Sequence, residues 1–134
     1  MDLEIEGKVV VIVGGAGDIG SACAKQFLKE GALVVIGDNL EERGLALVET
    51  LGEKHPSRIH FIKLDLTNQE SIRNFVRSVV HTHNAIDIIV NGAATFYFEE
   101  LTQWEDSSEL DRHIDVGLRG PIALIQEAWR LSAR

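Results

Sequence analysis

A single cysteine, two prolines, one tyrosine and one methionine are spread over 134 residues, and several of these scarcities close off a class of protein. Cys23 has no partner within the chain, so a disulfide framework is excluded, and a lone thiol in a helical pattern reads as a small apolar core side chain. Basic residues are also in short supply: 13 Lys and Arg face 21 Asp and Glu, which leaves a net charge of −8 and a pI near 5.0. No basic patch stands out that could release counterions from a phosphate backbone, so a nucleic-acid partner is not expected. The stretch Met1 to Glu6 is acidic and lacks a long apolar core, unlike a secretory signal, and no apolar run reaches bilayer length. The expectation is an acidic cytoplasmic protein with no membrane partner, one domain over residues 1–134, with the 45% hydrophobic content of an ordinary globular chain.

What the sequence does have is a strand running into a glycine loop where a helix begins, Val9-Val10-Val11-Ile12-Val13-Gly14-Gly15-Ala16-Gly17-Asp18-Ile19-Gly20. Gly15, Gly17 and Gly20 satisfy G-x-G-x-x-G, with a tight turn, close backbone approach to phosphate and close helix packing as their respective tasks. The helix N-terminus adds unpaired N–H groups and a partial positive charge. Such a loop by itself marks only a turn; the context makes it a pyrophosphate seat. Asp38 ends the apolar run Ala32 to Gly37 about 20 residues on, where a carboxylate accepts from a ribose hydroxyl. Its charge opposes a 2′-phosphate and favours NAD over NADP, since Asn39 and Leu40 supply no cation and Arg43 is the nearest one downstream. The competing role for Asp38 is a helix cap before Glu41.

Apolar runs then alternate with helical patterns. Strands are expected at Lys8 to Val13, up to Asp38, at Ile59 to Leu64 and at Ile86 to Val90. Helices are expected from Ile19 to Glu30 on the face Ile19, Cys23, Phe27 and Leu28, and from Glu41 to Leu51. A third follows Thr67-Asn68-Gln69-Glu70, a capping-box pattern, with Ile72, Phe75, Val76, Val79 and Val80 on one face. A long last helix follows Ser107 or Ser108 and is interrupted near Gly117 and Gly120-Pro121. The alternation predicts an α/β fold, a three-layer Rossmann-like sandwich whose parallel sheet has strand order 3-2-1-4, with the first two crossover helices on one face and the later helices on the other. A flavodoxin-like domain is the competing architecture, and Asp38 and Asp65 argue against it.

These residues resemble the short-chain dehydrogenase/reductase family, over nearly the whole chain but only the N-terminal half of the family's domain, which makes this a truncated Rossmann domain. The loop is similar to the family's T-G-x-x-x-G-x-G, with Gly14 and Gly20 in place, Val13 for Thr and Asp18 for the middle Gly; Gly17, one position earlier, is the residue to supply the lost freedom. Asp65-Leu66-Thr67 resembles the Asp-Val/Leu-Thr that receives adenine. Asn91-Gly92-Ala93-Ala94 resembles Asn-Asn-Ala-Gly, the turn against the adenine ribose. Motif and resemblance together nominate Gly14, Gly15, Gly17, Asp18, Ile19, Gly20, Asp38, Asp65, Leu66, Asn91, Gly92 and Ala93 as cofactor-binding residues.

The resemblance also implies a catalytic Asn, followed by Ser and Tyr-x-x-x-Lys. Gly117 stands where the Asn belongs. Tyr97 is the only tyrosine and no lysine follows Lys63, so the pair cannot be written in this sequence. No catalytic residue is therefore assigned. Tyr97, within Phe96-Tyr97-Phe98, has no sequence neighbour that would depress its pKa from about 10, and His81 and His83 are spaced so that they do not face each other, so no metal site is assigned. Two readings follow: a dinucleotide-binding module with little or no hydride transfer, or an oxidoreductase that is part of a longer enzyme or builds an atypical site in an oligomer. Self-association is expected through the last helix, where Leu118, Ile122, Ile125 and Trp129 form one apolar stripe and Ile114, Leu124, Ala128 and Leu131 another. The family resemblance implies a four-helix bundle between subunits there, as homodimer or homotetramer, and an open edge on the fourth strand adds a second adhesive surface.

Overall fold

The run of β-branched residues Val9–Val13 forms β1, buried at every position in the middle of a parallel sheet. The computed structural model describes residues 2–96 and 100–132. β1 is flanked by β2 (Leu33–Asp38) on one side and β4 (Ile88–Asn91) on the other, and β3 (Ile59–Lys63) lies outside β2. The order is therefore 3-2-1-4, all parallel, as the strand and helix alternation predicts. Alternate β1 residues point to opposite faces. Val10 and Ile12 join Ala24 and Leu28 of α1 (Asp18–Lys29) and Leu51 of α2 (Glu41–Gly52). Val9, Val11 and Val13 join Ile72, Phe75, Val76 and Val79 of α3 (Gln69–His83) with Leu124 and Ala128 of α5 (Gly120–Ser132). Among the described residues, no helix is long and apolar enough to cross a membrane.

Several local expectations are corrected. The inward face of α1 is Gly20, Ala24 and Leu28, while Cys23 and Phe27 are only partly buried and Ile19 is 79% exposed. Small residues win that face because they bring the helix axis close to the sheet. Asn68 caps α3, its side chain accepting from Ser71 N–H at 2.9 Å, while Thr67 turns back to Asp65. β4 begins after Asp87, whose carboxylate accepts from Val9 N–H at 2.7 Å and so ties the start of β1 to the segment that leads into β4. At the last helix, Asp106 rather than a serine accepts from Ser108 N–H, at 2.8 Å.

The interruption near Gly117 has a definite shape. α4 (Ser108–Ile114) passes into a π-helical turn over Asp115–Arg119 and then into α5, with Gly120 N–H donating to Asp115 C=O five residues back. Pro121 follows at once; lacking an N–H and crowding the carbonyl four residues before it, it favours such a widened turn. Gly120 itself sits against the Leu66 carbonyl, and a Cβ there would also lie 2.7 Å from Asp115 O. This close approach seats the α4–α5 hinge on the loop after β3.

Candidate dinucleotide site

The C-terminal ends of the strands open onto a cavity of about 860 Å³. Its floor is the junction of three strand ends. Gly14 has φ +70°, and its N–H donates to Gly37 C=O of β2 at 2.8 Å, while Gly92 N–H after β4 donates to Val13 C=O at 2.8 Å. The residue that takes the left-handed turn is thus Gly14, not Gly15. Gly15 is packed between the Ile12 carbonyl and the Ile36 side chain, and a Cβ on Gly20 would lie 2.7 Å from Gly14 O. Gly20 is therefore the position that lets α1 close on the glycine loop itself, where the sequence pattern predicts packing of helix on strand. Gly17 does not use glycine's extra freedom, since its backbone is extended at φ −79°, ψ 175°. What glycine provides there is vacancy: its Cβ position has only Gly14 O near it, at 3.6 Å. As the N-cap without a side-chain hydrogen bond, Gly17 leaves the first-turn amides of α1 uncapped by any side chain.

Asp38 is buried at the edge of this cavity, and its two oxygens are separately engaged. Oδ2 accepts from Ala16 N–H of the glycine loop and Oδ1 from Leu40 N–H, each at 3.0 Å. The carboxylate straps the glycine loop to the loop before α2; it is no cap for α2, whose N-cap is Leu40. Asp65 Oδ1 accepts from Thr67 N–H at 2.9 Å and from Thr67 Oγ1 at 2.7 Å, an Asx turn that shapes the loop after β3.

Of the nominated residues, Gly14, Gly17, Asp38, Asp65, Leu66, Gly92 and Ala93 line the cavity together. Gly15 and Gly20 lie in the packed loop beneath, and Asp18 and Ile19 project from the first turn of α1. Asp18 faces Arg43 at 3.6 Å, an exposed pair, so the nearest downstream cation is engaged outside the cavity. Asn91 ends β4 with an exposed side chain and does not line it. Thr95 and Phe96 do, whereas Tyr97 and Phe98 fall outside the described residues. The far wall has no counterpart among the nominated residues: Ser108, Asp111, Arg112, Asp115 and Val116 of the α4 region line the same cavity. Their three- and four-residue spacing was visible, but a polar helical face in sequence reads as a solvated one. Away from the cavity, the His83 ring packs at a 39° tilt against His60 of β3 with centroids 5.2 Å apart; partial burial, then the His60 charge, lowers the His83 pKa.

Residues 8–133 match the family model described as short chain dehydrogenase. The chain belongs to the short-chain dehydrogenase family. Among its relatives, an uncharacterized oxidoreductase of Thermotoga maritima is 36% identical over 117 residues, covering 87% of this chain and 45% of that protein. Short-chain dehydrogenase reductase 3c of Arabidopsis thaliana is 34% identical over 128 residues, covering 96% and 48%. In solved structures, L-sorbose reductase from Gluconobacter frateurii complexed with NADPH and L-sorbose superposes with a TM-score of 0.89 at 29% identity, over 97% of this chain and 49% of that one. The chain thus spans about half the length of the curated relatives it matches. Its fold is the NAD(P)-binding fold of short-chain dehydrogenases. In the position where the family resemblance puts a catalytic Asn, the π-helical turn holds Gly117, whose Cβ direction is open for 4 Å.

Proposed function

We propose that these residues form a dinucleotide-binding module that prefers NAD and by itself carries out little or no family hydride transfer. The observation that carries the reading is the junction at Gly14 and Gly17, a backbone seat with no side chain intruding, next to uncapped helix amides and within one cavity with Asp38. Those amides would hold the pyrophosphate, Asp38 the adenosine ribose, Asp65 and Leu66 the adenine, and Gly92 and Ala93 the adjoining ribose. The bound nicotinamide would supply hydride exchange; the sequence here offers no Tyr-x-x-x-Lys to move the accompanying proton.

The preference for NAD follows from charge. Asp38 is held by two backbone N–H groups, so a 2′-phosphate would meet a positioned carboxylate, and Arg43 points toward Asp18, 3.6 Å away. Titration calorimetry of Asp38→Ala is expected to show NAD binding weakened by about tenfold, the order of a hydrogen bond to a charged group, with discrimination against NADP reduced. Wild-type protein that binds neither dinucleotide at millimolar concentration would end this reading.

The second reading, an oxidoreductase of which these residues are one part, is favoured by the half-length match to the relatives. Intact mass, the reading frame beyond Arg134 and turnover of NADH against a panel of carbonyl compounds decide between the two.

Self-association is the third element of the proposal. Leu118, Ile122, Ile125 and Trp129 are all exposed, Trp129 at 76%, along one side of the α4–α5 region. Leu124 and Ala128 face the core, so the sheet covers only their side; Leu131, grouped with them in sequence, is itself 37% exposed. A two-fold dimer or a tetramer would cover the open stripe with Trp129 as anchor. Light scattering at micromolar concentration should report a dimer or tetramer that Trp129→Asp converts to monomer, and a monodisperse wild-type monomer refutes it.

A further inference from the structure

We propose that Arg112 grips the nucleobase of an adenine nucleotide in this cavity through the face of its guanidinium, an inference that rests on the dinucleotide reading above. The placement begins with Gly120. Its contact with the Leu66 carbonyl fixes how α5, and the π-helical turn before it, sit against the loop after β3. Counting back toward the N-terminus by successive turns gives Val116 and then Arg112, and both line the cavity shared with Asp65 and Leu66. The Leu66 and Val116 side chains are apolar surfaces on that path, suited to a flat ring.

Arg112 is the only cationic side chain lining the cavity among the described residues, where the carboxylates of Asp38, Asp65, Asp111 and Asp115 also lie. Arg119 is tied to Asp115 at 2.8 Å, while Arg112 makes no side-chain hydrogen bond or ion pair among the described residues. It is exposed at the α4 wall. The charge balance selects the kind of ligand atom it meets. A phosphate drawn to this wall would approach Asp111 and Asp115 as like charges, whereas a neutral π face meets no such repulsion and attracts a guanidinium through its quadrupole. The phosphates have a separate seat at the start of α1, built from backbone.

The test compares wild-type protein with Arg112→Met, which keeps a long flexible side chain and removes the charge, using calorimetry with NAD and with adenosine monophosphate. Inorganic pyrophosphate, measured by competition against NADH fluorescence, is the probe without a base. The substitution is expected to weaken NAD and adenosine monophosphate by similar factors of roughly three to ten, the range of an exposed to partly desolvated cation–π contact, and to leave pyrophosphate unchanged. Arg112→Lys should recover only part of the loss, because an ammonium stacks less well than a guanidinium. Arg112→Met protein that binds both nucleotides like wild type overturns the inference and leaves the dinucleotide reading standing. An equal loss for pyrophosphate overturns it too, by assigning Arg112 to phosphate. A wild-type protein that binds neither nucleotide removes the dinucleotide reading and this inference with it.

Discussion

Gly14→Ala is expected to abolish measurable dinucleotide binding and to destabilise the fold by about 2–4 kcal/mol, the sum of a left-handed backbone penalty and a small overpacking cost. Gly14 has φ +70°, where a Cβ is strained whatever space surrounds it, and the space is absent: the added carbon would lie 2.7 Å from Ala93 N and 2.8 Å from Ala93 Cα and Gly92 C. These are backbone atoms. No rotamer change relieves the contact, so the loop after β4 must move away from β1. The Gly92 N–H to Val13 C=O bond and the Gly14 N–H to Gly37 C=O bond, both 2.8 Å, span the same junction and would be disturbed together. Thermal melting and NAD titration are the measurements. A variant that melts with wild-type protein and binds NAD equally would show that the junction does not organise the cavity. Gly17→Ala is the informative partner substitution, because its Cβ meets only Gly14 O at the ordinary distance of 3.6 Å. It should melt near wild type and lose affinity alone, if the vacancy there is what a phosphate fills.

Phe75→Ala should cost about 3–5 kcal/mol, the usual range for deleting a buried phenyl ring. That is a large fraction of the roughly 5–15 kcal/mol that holds a typical domain together. Phe75 is 1% exposed in the core between α3 and the sheet, and its ring occupies the space where a Cβ on Gly37 would stand, 2.8 Å from the Cε2 and Cζ carbons. Gly37 and Leu64, both beside this ring, also line the cavity. The substitution therefore hollows the support beneath the site. Urea unfolding should show a lower midpoint with nearly unchanged slope. Phe96→Ala is the control of the same chemistry: Phe96 is 79% exposed, and its loss should shift stability by less than about 0.5 kcal/mol. Equal midpoints for the two variants would contradict the assignment of Phe75 to the core.

The sequence by itself determined the sheet and its order. Four apolar runs separated by helical patterns admit few right-handed parallel arrangements, and the runs Val9–Val13 and Leu33–Asp38 are apolar at nearly every position because both their faces are covered. It also determined the α3 face of Ile72, Phe75, Val76 and Val79, since an unbroken 3.6-residue period has one solution, and it singled out the glycine loop, Asp38 and Asp65. The inward side of α1 was harder to read. Hydrophobicity pointed to Ile19 and Phe27, but sheet contact rewards the small residues Gly20 and Ala24, whose advantage exists only when two backbones meet. For the same reason Gly14 and Gly15 could not be told apart in sequence. Which glycine turns left is set by Gly37 and the Gly92–Ala93 backbone, contributed by strands 20 to 80 residues away. Tertiary structure alone decided the cavity's far wall. Arg112, Asp115 and Val116 look like parts of a solvated helix until Gly120 closes on the Leu66 carbonyl and the fold sets them on one cavity with Asp65 and Leu66. A polar side chain carries no local mark of whether it faces water or a ligand; that depends on what the fold places across from it.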